Sequence, residues 1–530
     1  MFPNICSDLS ENSRQDDNRV QSTGGPFVRQ ATGLVRQVSL IDSIAINISY
    51  MSIGAALALI GFTMLSLPTV DGVNLVYGSA IAAALAIPQM VVYTILQRHV
   101  SRTGGDYVWM SRSLGGFAGS TLTFMGITLE TMPYLALIAL SVVFAIGSVG
   151  ANLGYSSFVQ LSTAGDVPVD QFLLASAIFV CLVLLNVFRP RWGFKIISAF
   201  WAVGILAIVI SVGSLLLAGR EGVVNYIGSL NIANITYDSI ASSYSGTTFN
   251  FANTLLIMPF FALFSYPWFN AAPSVGSELK HGNAVRWSTP ISLLVAFVLL
   301  TVPFAVMYYV GGFAFTNGAL SNANLVNNYS FNFWTLAMGV SGSYIVKLFI
   351  GLGWILFTVA VLAFGIITIS RYLLAQAFDR FLPERLAYVS PKYGSPVVAH
   401  IIDLVITVVL IGLASFLYGT LESLYGVLVA AMIYFAFVGL AAMIYATKQL
   451  KKSSREKIVL TIAGLLQILV FSYLTYEFVA YGSIWGGNLL AYGYVVASFI
   501  AGVAIYFVSR SREAAKGIDI SYAFREIPPE

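Results

Sequence analysis

The chain is 530 residues long, 58% apolar and 9% charged, with a net charge of +4. A soluble globular protein carries roughly 25% charged residues, so this composition, with a mean hydropathy of +0.83, excludes that class and identifies a polytopic membrane protein. The small net charge calls for no nucleic-acid partner, and two cysteines, Cys6 and Cys181, build no disulfide framework.

Residues 1–38 include a polar stretch of mixed charge, Ser10-Glu11-Asn12-Ser13-Arg14-Gln15-Asp16-Asp17-Asn18-Arg19, without an apolar core. That composition predicts a disordered cytoplasmic tail rather than a signal peptide. Residues 39–510 then read as one transmembrane domain. At about 20 residues per span, twelve apolar segments fit, near 42–64, 73–97, 117–148, 170–188, 194–218, 252–277, 289–314, 341–375, 397–418, 422–447, 457–480 and 488–510. The third and eighth are long enough to tilt. Residues 511–530 form a second, short tail.

With the N-terminus placed in the cytoplasm, all of the 27 Lys and Arg residues except Arg220 and Lys347 fall in or beside cytoplasmic regions. Basic residues favour that side, so the segregation predicts twelve spans with both termini cytoplasmic. The outer loops near 219–251 and 315–340 are long and nearly uncharged. They hold Asn234-Ile235-Thr236 and Asn328-Tyr329-Ser330, which match the glycosylation acceptor pattern. Asn47-Ile48-Ser49 matches too but lies within the first span, out of reach.

Two breaks interrupt the apolar pattern, Ser52-Ile53-Gly54-Ala55 in the first segment and Ser265-Tyr266-Pro267-Trp268-Phe269-Asn270 in the sixth. Lipid satisfies no broken backbone, so such breaks persist only against protein or a water-filled cavity. Two of them, five segments apart, suggest halves of an inverted repeat with a binding site between them. Beyond the first break a half-helix begins with unpaired N–H groups and a positive dipole end, which suit a carboxylate. The second break leaves carbonyls that suit an ammonium, and Pro267 and Pro273 deepen it. A zwitterionic amino acid supplies both charges.

Few ionisable groups lie within the spans. Glu130, in the middle of the third, is costly there unless paired, protonated or hydrated. It reads either as a proton-coupling or amine-binding group, or as a protonated acid bonded between helices. Lys347 snorkels to the surface or shapes the field of a cation site. Glu477 is close to the outer interface. Thr358 either contributes to a coupling-cation site or bonds its own helix. His99, His281 and His400 lie in or beside predicted cytoplasmic loops with no metal spacing. No metalloprotease, P-loop or nucleophile motif appears, so the chain reads as no enzyme and as needing no cofactor.

Motifs in four segments resemble the amino acid–polyamine–organocation (APC) superfamily of permeases. Ser101-Arg102-Thr103-Gly104-Gly105-Asp106-Tyr107 followed by Arg112-Ser113-Leu114-Gly115 is similar to its Pro-Arg-Ala-Gly-Gly-x-Tyr and Arg-x-Leu-Gly pattern, with Thr103 in place of Ala. Phe260-Phe261-Ala262-Leu263-Phe264 running to Glu278-Leu279-Lys280 resembles its sixth helix. Ser370-Arg371, Phe381-Leu382-Pro383 and Ser390-Pro391-Lys392 through Ser395-Pro396 resemble its signature after span eight. Ser52-Ile53-Gly54 departs from Gly-Ser-Gly by losing the first glycine.

The resemblance implies an all-α protein with a LeuT-like five-plus-five inverted repeat: repeat one about 40–218, repeat two about 252–447, and two extra helices about 457–510. By the same pattern Ser52, Ile53, Gly54 and Ala55 would face the substrate carboxylate, Phe264, Ser265 and Tyr266 its amine, and Trp268 and Asn270 its side chain. A neutral amide at Asn270, where some relatives carry glutamate, favours a neutral substrate. The expected activity is secondary active transport of a neutral amino acid across the cell membrane by alternating access, coupled to H⁺ or Na⁺. Alternatives are an amino acid exchanger, a polyamine or organic-cation carrier, and a transporter-like nutrient sensor.

Overall fold

The computed structural model describes residues 36–163, 166–280, 282–417, 420–448, 450, 454–525 and 527. Residues 1–35 of the expected tail, and His281, lie outside them. Among the described residues there are only helices, turns and two isolated β-bridges.

The first span is two helices, α1 (Leu40–Tyr50) and α2 (Ile53–Ser66). Next come α3 (Leu75–His99), the short α4 (Asp106–Ser113), and α5 (Gly116–Thr123), which runs through a π turn (Phe124–Thr128) into α6 (Leu129–Asn152). α7 (Pro168–Phe188) and α8 (Pro190–Ser229) follow. α8 continues well past the expected end of the fifth segment, bending at Gly219, whose φ is 60°.

The sixth segment is divided. After α9 (Tyr237–Ser243) it comprises α10 (Phe251–Leu255), α11 (Met258–Phe264), an irregular stretch, α12 (Ala271–Ser274) and a 3₁₀ turn (Gly276–Glu278). Pro267 lacks an N–H and Pro273 follows six residues on, so no continuous helix survives. Eleven helices among the described residues are therefore long and apolar enough to cross a membrane, and 252–277 is not one of them.

α13 (Asn283–Gly311) leads to three short helices, α14 (Phe313–Leu320), α15 (Ala323–Tyr329) and α16 (Phe333–Val340). The stretch expected as an open loop near 315–340 is thus mostly helical. Two of its Asn residues are caps: Asn322 accepts from the N–H groups of Asn324 and Leu325, and Asn332 from those of Trp334 and Thr335. α17 (Tyr344–Phe378), α18 (Val397–Phe416), α19 (Thr420–Gly426), α20 (Val429–Lys448), α21 (Ser454–Ala480) and α22 (Leu489–Ala514) complete the bundle.

α17 packs on α6 and α8, α13 on α1 and α3, and α21 on α20 and α3. The C-terminal segment is docked through a 3₁₀ turn (Ile520–Phe524) whose Ala523 carbonyl accepts from Arg112 Nη2 at 3.1 Å.

Candidate functional site

The two breaks lie side by side. Ser52, between α1 and α2, takes a left-handed conformation (φ 50°, ψ 33°) and gives α2 no side-chain cap. The N–H groups of Ile53, Gly54 and Ala55 therefore have no partner within the helix, and Ala56 N is the first to find one, Ser52 O at 2.9 Å. The break sits at Met51–Ser52, one residue before the expected start, because Ile53 already resumes the helix. α11 packs on α2 and α12 on α1, so the two broken segments run in opposite directions. Asn47 Oδ1 joins them by accepting from Ala272 N at 2.9 Å. That role buries Asn47 completely, in keeping with the expectation that its acceptor triplet is out of reach, whereas Asn234 and Asn328 are exposed.

Aromatic side chains fill the space between the breaks. Ser52 Oγ bonds the Tyr134 hydroxyl. Trp268 stacks on Tyr134 at 5.3 Å between ring centroids and meets Tyr50 and Phe435 edge-on at 5.5 and 5.8 Å. Its indole N–H donates to Ala262 O at 3.1 Å and Leu263 O at 2.9 Å, occupying the carbonyls at the end of α11. From the far side, Trp334 of α16 donates to Gly54 O at 3.0 Å. Immediately beyond this plug lies a cavity of about 460 Å³, lined by residues that include Leu59, Phe62, Leu137, Phe144, Phe264 and Tyr425. Of the nine residues expected to bind substrate, only Phe264 lines it.

The other expected residues divide. Ser265 Oγ and Asn270 Oδ1 are buried without a partner at the break. Tyr266 turns away, its hydroxyl bonded to Ser79 Oγ at 2.6 Å. Glu130 is fully buried just after the π turn, with both carboxyl oxygens unpartnered; such turns recur at functional positions. Thr358 donates to Trp354 O of its own helix at 3.0 Å. Lys347 is half-buried in the first turn of α17, and Glu477 keeps one buried oxygen unpartnered. Sequence reasoning missed Tyr134 and Trp334, whose aromatic rings look like ordinary core residues until their partners are seen.

The end where α1 begins is closed by backbone as much as by side chains. Gln37 N and Val38 N both donate to Glu278 O at 2.9 Å, and Lys280 N donates to Val38 O at 2.9 Å. Gly104 N donates to Ser274 O at 2.9 Å, and Ser101 Oγ to Gly276 O at 2.9 Å. Gly105, at φ 43°, lies so close to Pro273 that a Cβ would come within 2.7 Å of its carbonyl carbon. The glycine pair of the sequence motif thus permits this approach. Arg371 grips Glu278 through Nε at 2.8 Å and Nη2 at 3.3 Å, and Arg112 grips Asp379 with two nitrogens.

Above this closure Asp106, fully buried at the start of α4, accepts from the hydroxyls of Tyr93 at 2.6 Å and Tyr372. Asn270 Nδ2 donates to the same Tyr372 hydroxyl at 3.2 Å, tying the carboxyl to the second break. Burial pushes the Asp106 carboxyl up to about 6, with the tyrosine hydrogen bonds opposing the shift.

Residues 38–509 match the sequence model of a family described as "Amino acid permease". The chain is also similar to "Uncharacterized protein 399" of Sulfolobus islandicus rod-shaped virus 1, 24% identical over 274 residues that make up 52% of this chain and 56% of that protein. The match therefore spans little more than half of each chain.

Proposed function

From the premise that the chain belongs to the amino acid permease family of the APC superfamily, and is a multi-pass membrane transporter of amino acids, we propose that it takes up a neutral amino acid by proton-coupled alternating access. The observation that carries this reading is the uncapped start of α2 facing the end of α11 at a buried break. The substrate carboxylate docks on the N–H groups of Ile53, Gly54 and Ala55. Its ammonium takes the carbonyls of Ala262 and Leu263 once the Trp268 indole swings off them. The apolar lining of the adjoining cavity, Leu59, Phe62, Leu137 and Phe144 among it, favours an uncharged side chain.

Glu130 is the coupling group of this scheme. A carboxyl with neither oxygen partnered is stable there only as the neutral acid, so its charge cycles with access to water. The Thr358 hydroxyl is bonded to its own helix, which favours a proton over Na⁺. The two broken segments belong to inverted repeats of about 40–218 and 252–447. In this reading the cavity is the open way in, and the end where α1 begins, taken as the cytoplasmic one, is the shut gate; the backbone bonds of Gln37, Val38 and Lys280 there support it.

Purified protein in liposomes, screened with a labelled amino-acid panel under an imposed proton or sodium gradient, tests the proposal. Proton-driven accumulation of neutral amino acids is expected, and Glu130→Gln should abolish its pH dependence while sparing expression. Uptake only into amino-acid-loaded liposomes would instead mean an exchanger, and saturable binding without uptake a sensor.

A further inference from the structure

The helix α18 is built inside out. Its buried residues are Ala399, His400, Asp403, Thr407 and Ile411, whereas Ile401, Val405, Val409 and Leu413 are exposed. His400, Asp403 and Thr407 recur at the three- and four-residue spacing that aligns side chains on one helix face. Apolar residues thus face lipid, and the helix turns a polar stripe into the protein, against α6, α7 and α17. His400 lies in the first turn of α18, beside the loop as the sequence places it, but with no exposed surface.

The stripe is polar but barely bonded. Asp403 Oδ1 accepts from Thr407 Oγ1 at 3.1 Å. Asp403 Oδ2 and both His400 ring nitrogens are buried with no partner. Buried polar groups kept for architecture are nearly always paired, and each one left unpaired is destabilising. Two neighbouring helices add unpartnered oxygens of their own, Asn186 Oδ1 on α7 and Thr368 Oγ1 on α17.

Among the described residues no ion pair of Asp403 is found, and the charged groups on the elements around it are engaged elsewhere or exposed. Arg371 of α17 is the charged neighbour of His400, but its guanidinium is engaged by Glu278. On α6, Tyr134 turns to Ser52 and Glu130 lies near Tyr50 and Tyr134. On α7, Cys181 is exposed. Glu384, in a 3₁₀ turn (Glu384–Ala387) that packs on α18, pairs with Arg380 at 3.5 Å, and Glu422 of α19 lines the cavity. Asp403 in this arrangement is a carboxyl with a neutral hydroxyl for company.

We propose that Asp403 and His400 form a second proton-binding site, separate from the two breaks. The proton binds Asp403 Oδ2, converting carboxylate to acid. His400 relays it by accepting at one ring nitrogen and releasing from the other. The stripe has an end for each step. Ala414 and Ser415, farther along α18, line the cavity, and His400 neighbours Arg371, whose Glu278 partner takes part in the closure. Ionising Asp403 requires water or a cation to reach it, so loss of the proton favours parting α18 from α17.

Infrared absorption of the lipid-reconstituted full chain, recorded stepwise from acid to alkaline pH, tests this without any amino-acid substrate. Wild type and Glu130→Gln should both lose a protonated-carboxyl band on alkalinisation, and Asp403→Asn should lack that band. His400→Gln should keep the band but slow its response to a pH jump. A complete set of titrating bands in Asp403→Asn, at unchanged elution and melting, would overturn the proposal. Should Asp403→Asn fail to fold, Thr407→Val serves instead, because losing its hydrogen bond must move the band; an unmoved band would overturn the proposal equally. The readout is the acid itself, so a failure here is distinct from a failure to transport amino acids.

Discussion

Ser52 occupies the left-handed region, which costs a non-glycine residue about 1–3 kcal/mol, and it keeps that conformation where its hydroxyl meets Tyr134. Its neighbour Gly54 has little room: a Cβ there would lie 3.3 Å from the Phe357 Cβ. Gly54→Val should therefore abolish saturable binding of labelled amino acid, with protein yield retained; normal affinity would detach the α2 start from the site. Asp106 carries a pH dependence whose sign is fixed by burial. Its carboxyl is raised from 3.8 to about 6 in the folded protein, so folding favours the protonated form. The stabilisation is complete below pH about 4 and is lost as pH rises to about 6, a change of about 3 kcal/mol. Thermal midpoints of wild type should fall across that window, and those of Asp106→Asn should stay level. At this scale the two breaks that frame the candidate site were legible. Ser52 to Ala55 and Ser265 to Asn270 stand out because Gly and Pro interrupt apolar runs. Asp106 sits inside a motif that draws the eye to its glycines, and Asp403 is hidden near a span end, where a carboxyl usually meets water.

The two segments whose apolar pattern is interrupted, the first and the sixth, are also the ones divided in the fold, and they frame the candidate site. The expected spans agree with α3, α7, α18, α21 and α22 to within a few residues, because apolar runs of that length bury their own backbone. The outer segments near 219–251 and 315–340 were illegible, since short capped helices lack the long apolar run that announces a span. The pair Glu278–Arg371 shows what the short elements contribute. Both side chains are at most 3% exposed, and removing one partner of such a pair costs about 3–5 kcal/mol. Glu278→Gln should lower the melting temperature and raise labelling of a cysteine placed at Ser101 by a membrane-impermeant reagent. A variant as stable and as shielded as wild type would mean that the pair does not hold the closure.

Across the whole molecule, the two ends differ in kind. One opens into a cavity of about 460 Å³, walled by side chains such as Phe62, Phe144 and Tyr425. The other is held where Gln37, Val38 and Lys280 exchange main-chain bonds with Glu278 and Val38. The bonds of such a seam come from the main chain, and the Val38 side chain beside them packs in the core, where an apolar residue of similar size serves. Substituting Val38 by Ile or Leu should leave transport intact, whereas Val38→Pro, which deletes one donor, should raise labelling of the same cysteine; equal labelling in the two would refute the seam. The consequence reaches past this chain. Comparison of amino acids among distant permeases would register at residue 38 the need for a buried apolar side chain, and would miss the bonds its backbone makes. Selection there acts on a peptide group that every residue but proline supplies, and a substitution table has no column for it.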